Sequence, residues 1–335
     1  MNGFNEKSRD IPLHRAAEVM VCGGGPAGVA AAISAARAGA RTALIEWHGC
    51  LGGVWTSGLL SWIIDAGGKR GIMAEIIDRL DRRGARIASK GPDFTYDPEA
   101  MKLILEEMCM EANVAVHLHT RVVHAVKNEA GRLATIVTES KAGRHAWTAD
   151  MFVDATGDGD VAALAGCSYE VGRAESGETQ PMSLMAIVGG IRLDEVEPYT
   201  MNGVNENPKA LLLEEMRRAG ITPSYTAPSL FHIGGGLFAL MANHEYGVSP
   251  VDAMAITRAT LRARKELNGI VDGLRLLGGI WSGLRIASTA NQIGVREGRR
   301  IRGLYRVTDS DLQRGARHED AVCRVNYGID IHSTD

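Results

Sequence analysis

Residues 19–46, VMVCGGGPAGVAAAISAARAGARTALIE, constrain the fold more than any other stretch of the chain. They read as an apolar strand, a glycine turn, a helix of small residues, and a second apolar strand ending in an acid. Gly23 and Gly25 permit a tight turn and let a diphosphate approach the backbone without meeting a Cβ. Gly28 lets the helix lie close on the sheet. Pro26 falls at the first helical position, where its fixed φ suits the helix, and the neighbouring amides are left to face a phosphate. Glu46 stands 18 residues after Gly28, at the end of the run Thr42 to Ile45. A carboxylate there can accept both hydroxyls of an adenosine ribose and repels a 2′-phosphate. A bare GxGxxG means little in a chain with 40 glycines. The strand before it, the helix after it and the spaced acid make it a nucleotide-diphosphate cradle.

The remaining composition sets outer limits. At 335 residues, 45% hydrophobic and 23% charged, the chain has the length and core of a two-domain globular protein. A net charge of −3 supplies no global basic field, which argues against nucleic acid as a partner. The longest apolar runs fall far short of the roughly 20 residues needed for a membrane helix. The five cysteines form no CxxC pair, which points to a reducing cytoplasm rather than a disulfide framework. Residues 1–17 are polar and mixed in charge, without the apolar core of a signal peptide, and read as a flexible leader.

Beyond Glu46 the spacing predicts a glycine-rich stretch over 49–58 and helices over 71–83 and 98–112. From residue 114 the period changes to two through runs at 114–126, 133–138 and 145–153, a small β-meander. An apolar strand then ends in Ala155-Thr156-Gly157, a second glycine corner, followed by a short helix over 158–165. Past Gly172 come a strand-like SLMAIVGG, a polar region over 194–224, a glycine bend at 234–236 and a helix over 250–268. The expected fold is α/β: a Rossmann-like FAD/NAD(P)-binding domain with a β-meander, plus a mixed α+β substrate domain.

With these pieces placed, the chain resembles the FAD-dependent oxidoreductases of the glutathione-reductase-like superfamily, most closely the FAD_oxidored group. Four blocks carry the resemblance: CGGGPAGVAAAISAARAGARTALIE, GCLGG, VDATGDGDVAALAG, and REGRRIRGLYRVT continuing to YGIDIH. The resemblance implies FAD as cofactor, an FAD-binding domain over 18–175 and a substrate domain over 176–335. It implies that Gly23, Gly25, Ala27 and Gly28 hold the pyrophosphate and Glu46 the ribose, with Leu51-Gly52-Gly53 along the ribityl chain. It also implies that Val122 touches adenine through its backbone, and that Ala155, Thr156, Gly157 and Asp160 pack against the cofactor from the opposite side. Members of the group continue past the DIH motif into a segment whose amides close over the flavin ring. This chain stops at Asp335, so the expectation includes a fragment, a partner chain that completes the FAD site, or an open site.

Several residues admit two readings. Cys50 or His48 could meet the flavin as a redox thiol or a covalent tether, but a cysteine without a resolving partner is more simply a packed residue. Gly234, Gly236 and Ala239 mimic GxGxxA without the helix and acid that a second dinucleotide site needs. His117 and His119 alternate as a metal pair does, yet no third ligand is spaced to join them. Arg296, Arg299, Arg300, Arg302 and Arg306 form the densest positive stretch, and on an unbroken strand the even-numbered members share a face. Arg296 is the candidate carboxylate clamp, set against a structural ion pair with Glu297 or another acid. His332 is the candidate proton carrier.

These residues lead to the expectation of an FAD-dependent oxidoreductase. It passes hydride between a small, possibly anionic organic substrate and flavin, with an unknown electron acceptor or donor. The rivals are a truncated flavoprotein or subunit without catalysis of its own, and an NAD-linked dehydrogenase using the same cradle.

Overall fold

A computed structural model of the chain describes residues 4, 8–15, 17–89 and 91–334. Part of the expected leader therefore lies outside the described residues. The chain divides into two compact, interleaved units, Met1–Gly49 with Met108–Cys167, and Cys50–Glu107 with Ser168–Asp335. Among the described residues no helix is long and apolar enough to cross a membrane.

The first unit is built on a parallel sheet in the spatial order Met151–Asp154, Val19–Cys22, Thr42–Ile45, Ala115–His117. Val19–Cys22 and Thr42–Ile45 are almost wholly buried, as continuous apolar runs in a parallel sheet require. Helix Pro26–Arg37 crosses between them. Its alanines keep it slim enough to lie on both strands. A second, antiparallel sheet holds the meander Arg121–Lys127, Leu133–Ser140, Gly143–Thr148. Leu13–Arg15 adds a parallel edge strand to it, pairing with Ala146 to Thr148. Part of the segment read as a loose leader is thus tied to the meander. The indole of Trp147 donates to the Thr138 hydroxyl at 2.7 Å and packs with Met20, Ile45, Ile136 and Val161 in this unit's core.

Two of the three period-two runs differ from expectation. Run 114–126 gives its first half to the parallel sheet and its second to the meander, and run 145–153 divides the opposite way. Hydrophobic alternation persists through both bends, so periodicity alone cannot mark them. The first bend falls at His119, a non-glycine residue with φ of 53°. It is held by the His119 amide on the His48 carbonyl and the Thr120 amide on the Glu46 carbonyl. At the second, the Asp150 and Met151 amides both donate to the Glu18 carbonyl.

The second unit has an antiparallel sheet in the order Ser229–Gly234, Leu237–Met241, Ala186–Gly189, Arg285–Thr289. The glycine bend at 234–236 is the turn of its hairpin, with positive φ at all three glycines. Helices Pro208–Arg218 and Ala253–Leu276 bury their apolar faces in this unit's core around Met216, Leu267, Ile270 and Trp281. The second helix runs eight residues past the expected end at 268. Asn268-Gly269 is a stop signal in sequence, but burial of Ile270, Val271 and Leu274 carries the helix through it.

Within the same unit Tyr96, on the strand Phe94–Tyr96, is fully buried. Its hydroxyl lies 2.9 Å from the carbonyls of both Trp55 and Leu60. It therefore fixes the loop that follows the GCLGG block, and burial pushes its pKa well above the tyrosine norm. Tyr96→Phe removes the single hydroxyl proton that these two part-buried carbonyls share, which costs about 1–3 kcal/mol. Urea denaturation of the full chain should show the corresponding loss, and an unchanged midpoint would remove this role.

Candidate functional site

The first unit carries the cradle. Helix Pro26–Arg37 begins at Gly25 with no side-chain cap. Among the described residues no hydrogen bond takes up the amides of Gly25, Ala27 and Gly28. Free amides at a helix start, with the macrodipole behind them, suit an anion. A Cβ at Gly28 would stand 1.8 Å from the Gly23 carbonyl oxygen, and one at Gly23, where φ is +101°, would stand 2.3 Å from that of Ala155. Both contacts are with backbone, so neither position admits a side chain. A Cβ at Gly25 would meet nothing within 4 Å. Gly23 and Gly28 are therefore required by the protein's own packing, whereas Gly25 borders open space on the side from which a diphosphate would come. The residues fit the group.

Glu46 is 6% exposed. Its carboxylate accepts from the Gly24 amide at 2.6 Å and the His48 amide at 2.7 Å, one on each oxygen. These bonds fix the carboxylate against the glycine turn. Each oxygen retains a second lone pair, which is what two ribose hydroxyls need. The Thr120 amide on the Glu46 carbonyl brings the chain into the strand Arg121–Lys127 beside this acid, with Val122 two residues on.

The second glycine corner is ordered by its own acid. Asp154 Oδ1 accepts from the Thr156 amide and hydroxyl, and Oδ2 accepts from the Ala162 amide at 2.8 Å. The Thr156 hydroxyl in turn accepts from the Asp160 amide at 2.8 Å, at the start of the helix Asp160–Leu164. The Thr156 side chain and the Asp160 amide thus shape the corner, and the Ala155 carbonyl lies against Gly23. The thiol of Cys22 is pushed up to about 12, first by burial and then by Asp154, which leaves it a packed residue. His117 and His119 do not share a face, because the strand ends at His117 and the ring of His119 turns against Gly49.

In the second unit Leu51 is buried, and Gly52 and Gly53 turn the chain at positive φ into a short 3₁₀ segment, Gly53–Trp55. The Thr56 hydroxyl closes this turn on the Leu51 carbonyl at 2.5 Å. The neighbours of Cys50 Sγ are hydroxyls, Ser57 at 3.3 Å and Thr56 at 3.8 Å, rather than a second thiol.

The arginine stretch is not one strand. Only Arg299–Ile301 is extended, pairing with Tyr169–Val171, so the even-numbered arginines share no common face. Arg302 and Arg306 converge on Glu170 at 3.0 and 3.3 Å and hold its carboxyl below the usual range. Arg300 pairs with Glu297. Arg296 differs: it is half-buried and has no carboxylate within ion-pair distance among the described residues. Its Nη1 donates to the Pro181 carbonyl at 2.7 Å and the Ser183 hydroxyl at 2.9 Å. The expected rival, an ion pair with Glu297, is absent because Arg300 and the Gln180 amide occupy that acid. His332 is half-buried, its amide donating to the Gln180 side chain at 3.0 Å. Burial, then Arg296, lowers its pKa. Beside it lie Tyr225 and His244, which sequence reasoning passed over. The available signal was the polar NHEY immediately after the apolar strand Leu237–Met241.

The family model described as FAD dependent oxidoreductase matches residues 18–335. No curated protein matches the chain. Among solved structures, p-nitrophenol 4-monooxygenase PnpA from Pseudomonas putida DLL-E4 is 13% identical with a TM-score of 0.54, covering 88% of this chain and 71% of its own. A geranylgeranyl bacteriochlorophyll reductase-like protein from Thermoplasma acidophilum is 16% identical with a TM-score of 0.53, covering 85% and 66%. The flavin-dependent monooxygenase PieE, solved with FAD and substrate, is 14% identical with a TM-score of 0.55, covering 85% and 50%. The chain thus spans half to about seven tenths of the length of these flavoproteins and shares their fold. It belongs to the FAD-dependent oxidoreductase family, whose cofactor is FAD.

Glu46→Ala removes the fastener of the glycine turn and, with it, the candidate ribose acceptor. A hydrogen bond to a charged group contributes about 1.5–3 kcal/mol, so the Kd for FAD should rise at least tenfold by flavin-fluorescence titration. An unchanged Kd would contradict the assignment.

Proposed function

We propose that this member of the FAD-dependent oxidoreductase family oxidises or reduces a small anionic organic molecule by hydride exchange with flavin. The observation that carries the reading is Arg296, a half-buried guanidinium that forms no ion pair among the described residues, with Asp330 acting on it only from beyond ion-pair distance. Buried charges are ordinarily paired. Two of its N–H bonds are anchored to Pro181 and Ser183, which sets the orientation of the guanidinium plane. A planar fork in that setting matches a carboxylate in both charge and geometry.

When bound, FAD supplies a two-electron redox centre, and the protein supplies position and electrostatics. Gly25, Ala27 and Gly28 offer amides to the pyrophosphate, and Glu46 accepts the ribose hydroxyls. Leu51, Gly52 and Gly53 provide a side-chain-poor turn for the ribityl chain. Arg296 holds the substrate's anionic group. His332 is neutral at pH 7 because burial and Arg296 both disfavour its charged form, so it is able to accept a proton. The electron acceptor, and any partner chain, belong to the same proposal and rest on the resemblance to the family.

The purified full chain, supplied with FAD, should show flavin absorbance near one equivalent, bleached anaerobically by a carboxylate-bearing substrate. Flavin bands that no organic acid bleaches would favour a nucleotide-binding subunit, and nicotinamide binding without flavin colour would favour the dehydrogenase. Arg296→Lys keeps the charge and loses the fork. It should raise KM about tenfold or more without altering flavin occupancy, and unaltered kinetics would refute the clamp. The pKa of His332 is lowered, so its basic form persists above the histidine norm and is lost only below it. The acid limb of kcat/KM should therefore fall below pH 6.5 and disappear in His332→Asn, whereas an acid limb above pH 6.5 would exclude this residue as the base.

A further inference from the structure

His244 is buried, 5% exposed, and its Nε2 has no hydrogen-bond partner among the described residues. Orphaned buried polar atoms are rare and each calls for a reason. The His244 amide donates to the Ser224 hydroxyl at 2.9 Å, and its Nδ1 lies 3.1 Å from the Tyr246 hydroxyl. The ring stacks on Tyr225 with centroids 4.0 Å apart, so it cannot turn to find another acceptor.

The same residues tie His244 to Arg296. The Ser183 hydroxyl accepts from Arg296 Nη1 and donates to the carbonyl of Asn243 at 2.8 Å, one residue before His244. The ring of His332 stands edge-on to that of His244 at 5.1 Å. The titratable groups around His244 are therefore Arg296, His332, Tyr225 and Tyr246, with Asp330 acting on Arg296 and His332. Burial, then Arg296, then His332 push the pKa of His244 down to about 3. It is a neutral imidazole at any ordinary pH. In the tautomer whose Nδ1 accepts from the Tyr246 hydroxyl, the ring proton sits on Nε2, an uncharged donor beside a cationic fork.

The geometry points to a two-point recognition site for an organic acid that bears a second oxygen. Arg296 takes the carboxylate, and His244 Nε2–H donates to a hydroxyl or carbonyl oxygen of the same molecule. This rests on the reading of Arg296 as a carboxylate clamp and narrows its substrate class to hydroxy or oxo acids. A neutral donor suits the second oxygen because it adds no charge beside the guanidinium. Tyr225 stacks on the His244 ring at one side of the site, and the His332 ring stands edge-on at the other.

The test compares mandelate with phenylacetate, which share ring and carboxylate and differ by one hydroxyl. Binding to the full chain is measured calorimetrically, with flavin occupancy read separately from absorbance. Mandelate should bind at least tenfold more tightly. His244→Phe keeps the stack on Tyr225 and removes the donor, and should bring the affinity for mandelate down to that for phenylacetate in the same variant. His244→Gln, which restores an N–H, should recover part of the preference. In protein labelled with ¹⁵N-histidine, one ring should stay neutral from pH 5 to 8 and shift on adding mandelate but not phenylacetate. Equal affinity for the two acids, binding of neither, or no ring shift in the wild-type protein would each overturn the inference, whether or not the variants fold. A preference for mandelate in a protein that retains no flavin would instead uphold the site and refute the flavoenzyme reading.

Discussion

The fold of the first unit depends on one close approach: the backbone of Gly23 pressed between Gly28 and Ala155, with no room for a Cβ at Gly23 or Gly28. That contact brings the start of helix Pro26–Arg37 against the carboxyl ends of two adjacent parallel strands. Ligands of open α/β sheets bind at such strand ends. Glu46 then bonds to the Gly24 amide from the end of the third strand. The turn, the corner after Asp154 and the acid support one another, and the exposed amides at the helix start are what remains for a ligand.

The second unit shows a different economy. Most of its arginines are spent on acids, with Arg300 on Glu297 and Arg302 and Arg306 on Glu170. Surface pairs of this kind contribute little, about 0–1 kcal/mol each. Arg296 is left without an acid among the described residues, beside a buried imidazole nitrogen that also lacks a partner. A half-buried cation without an ion pair and an orphaned imidazole nitrogen side by side are costly to the fold alone, and an anion with a second oxygen relieves both.

Local chemistry was the legible part of the sequence. The cradle was readable because strand, turn, helix and acid are each specified by residues within 28 positions, and the helices over 71–83 and 98–112 were readable from their period. The two bends that share strands between sheets were not, because alternation is the same on either side of His119. The continuation of helix Ala253–Leu276 through Gly269 was hidden for the opposite reason: tertiary burial outweighed a local stop signal. Arg296 could be singled out as a candidate, but its freedom from Glu297 is a matter of which acid Arg300 reaches. His244 carried only the weak signal of a polar NHEY just beyond an apolar strand, because its meaning lies in a missing hydrogen bond, which no spacing encodes.

The central claim is that the amides at the start of helix Pro26–Arg37 and the carboxylate of Glu46 together read an adenosine diphosphate. Calorimetric titration of the flavin-free chain with FAD and with FMN, which lacks the adenosine half, tests it most directly. The account predicts one FAD per chain, displaced by ADP, and binding of FMN at least a hundredfold weaker. FMN binding as tightly as FAD, or FAD binding indifferent to ADP, would contradict it.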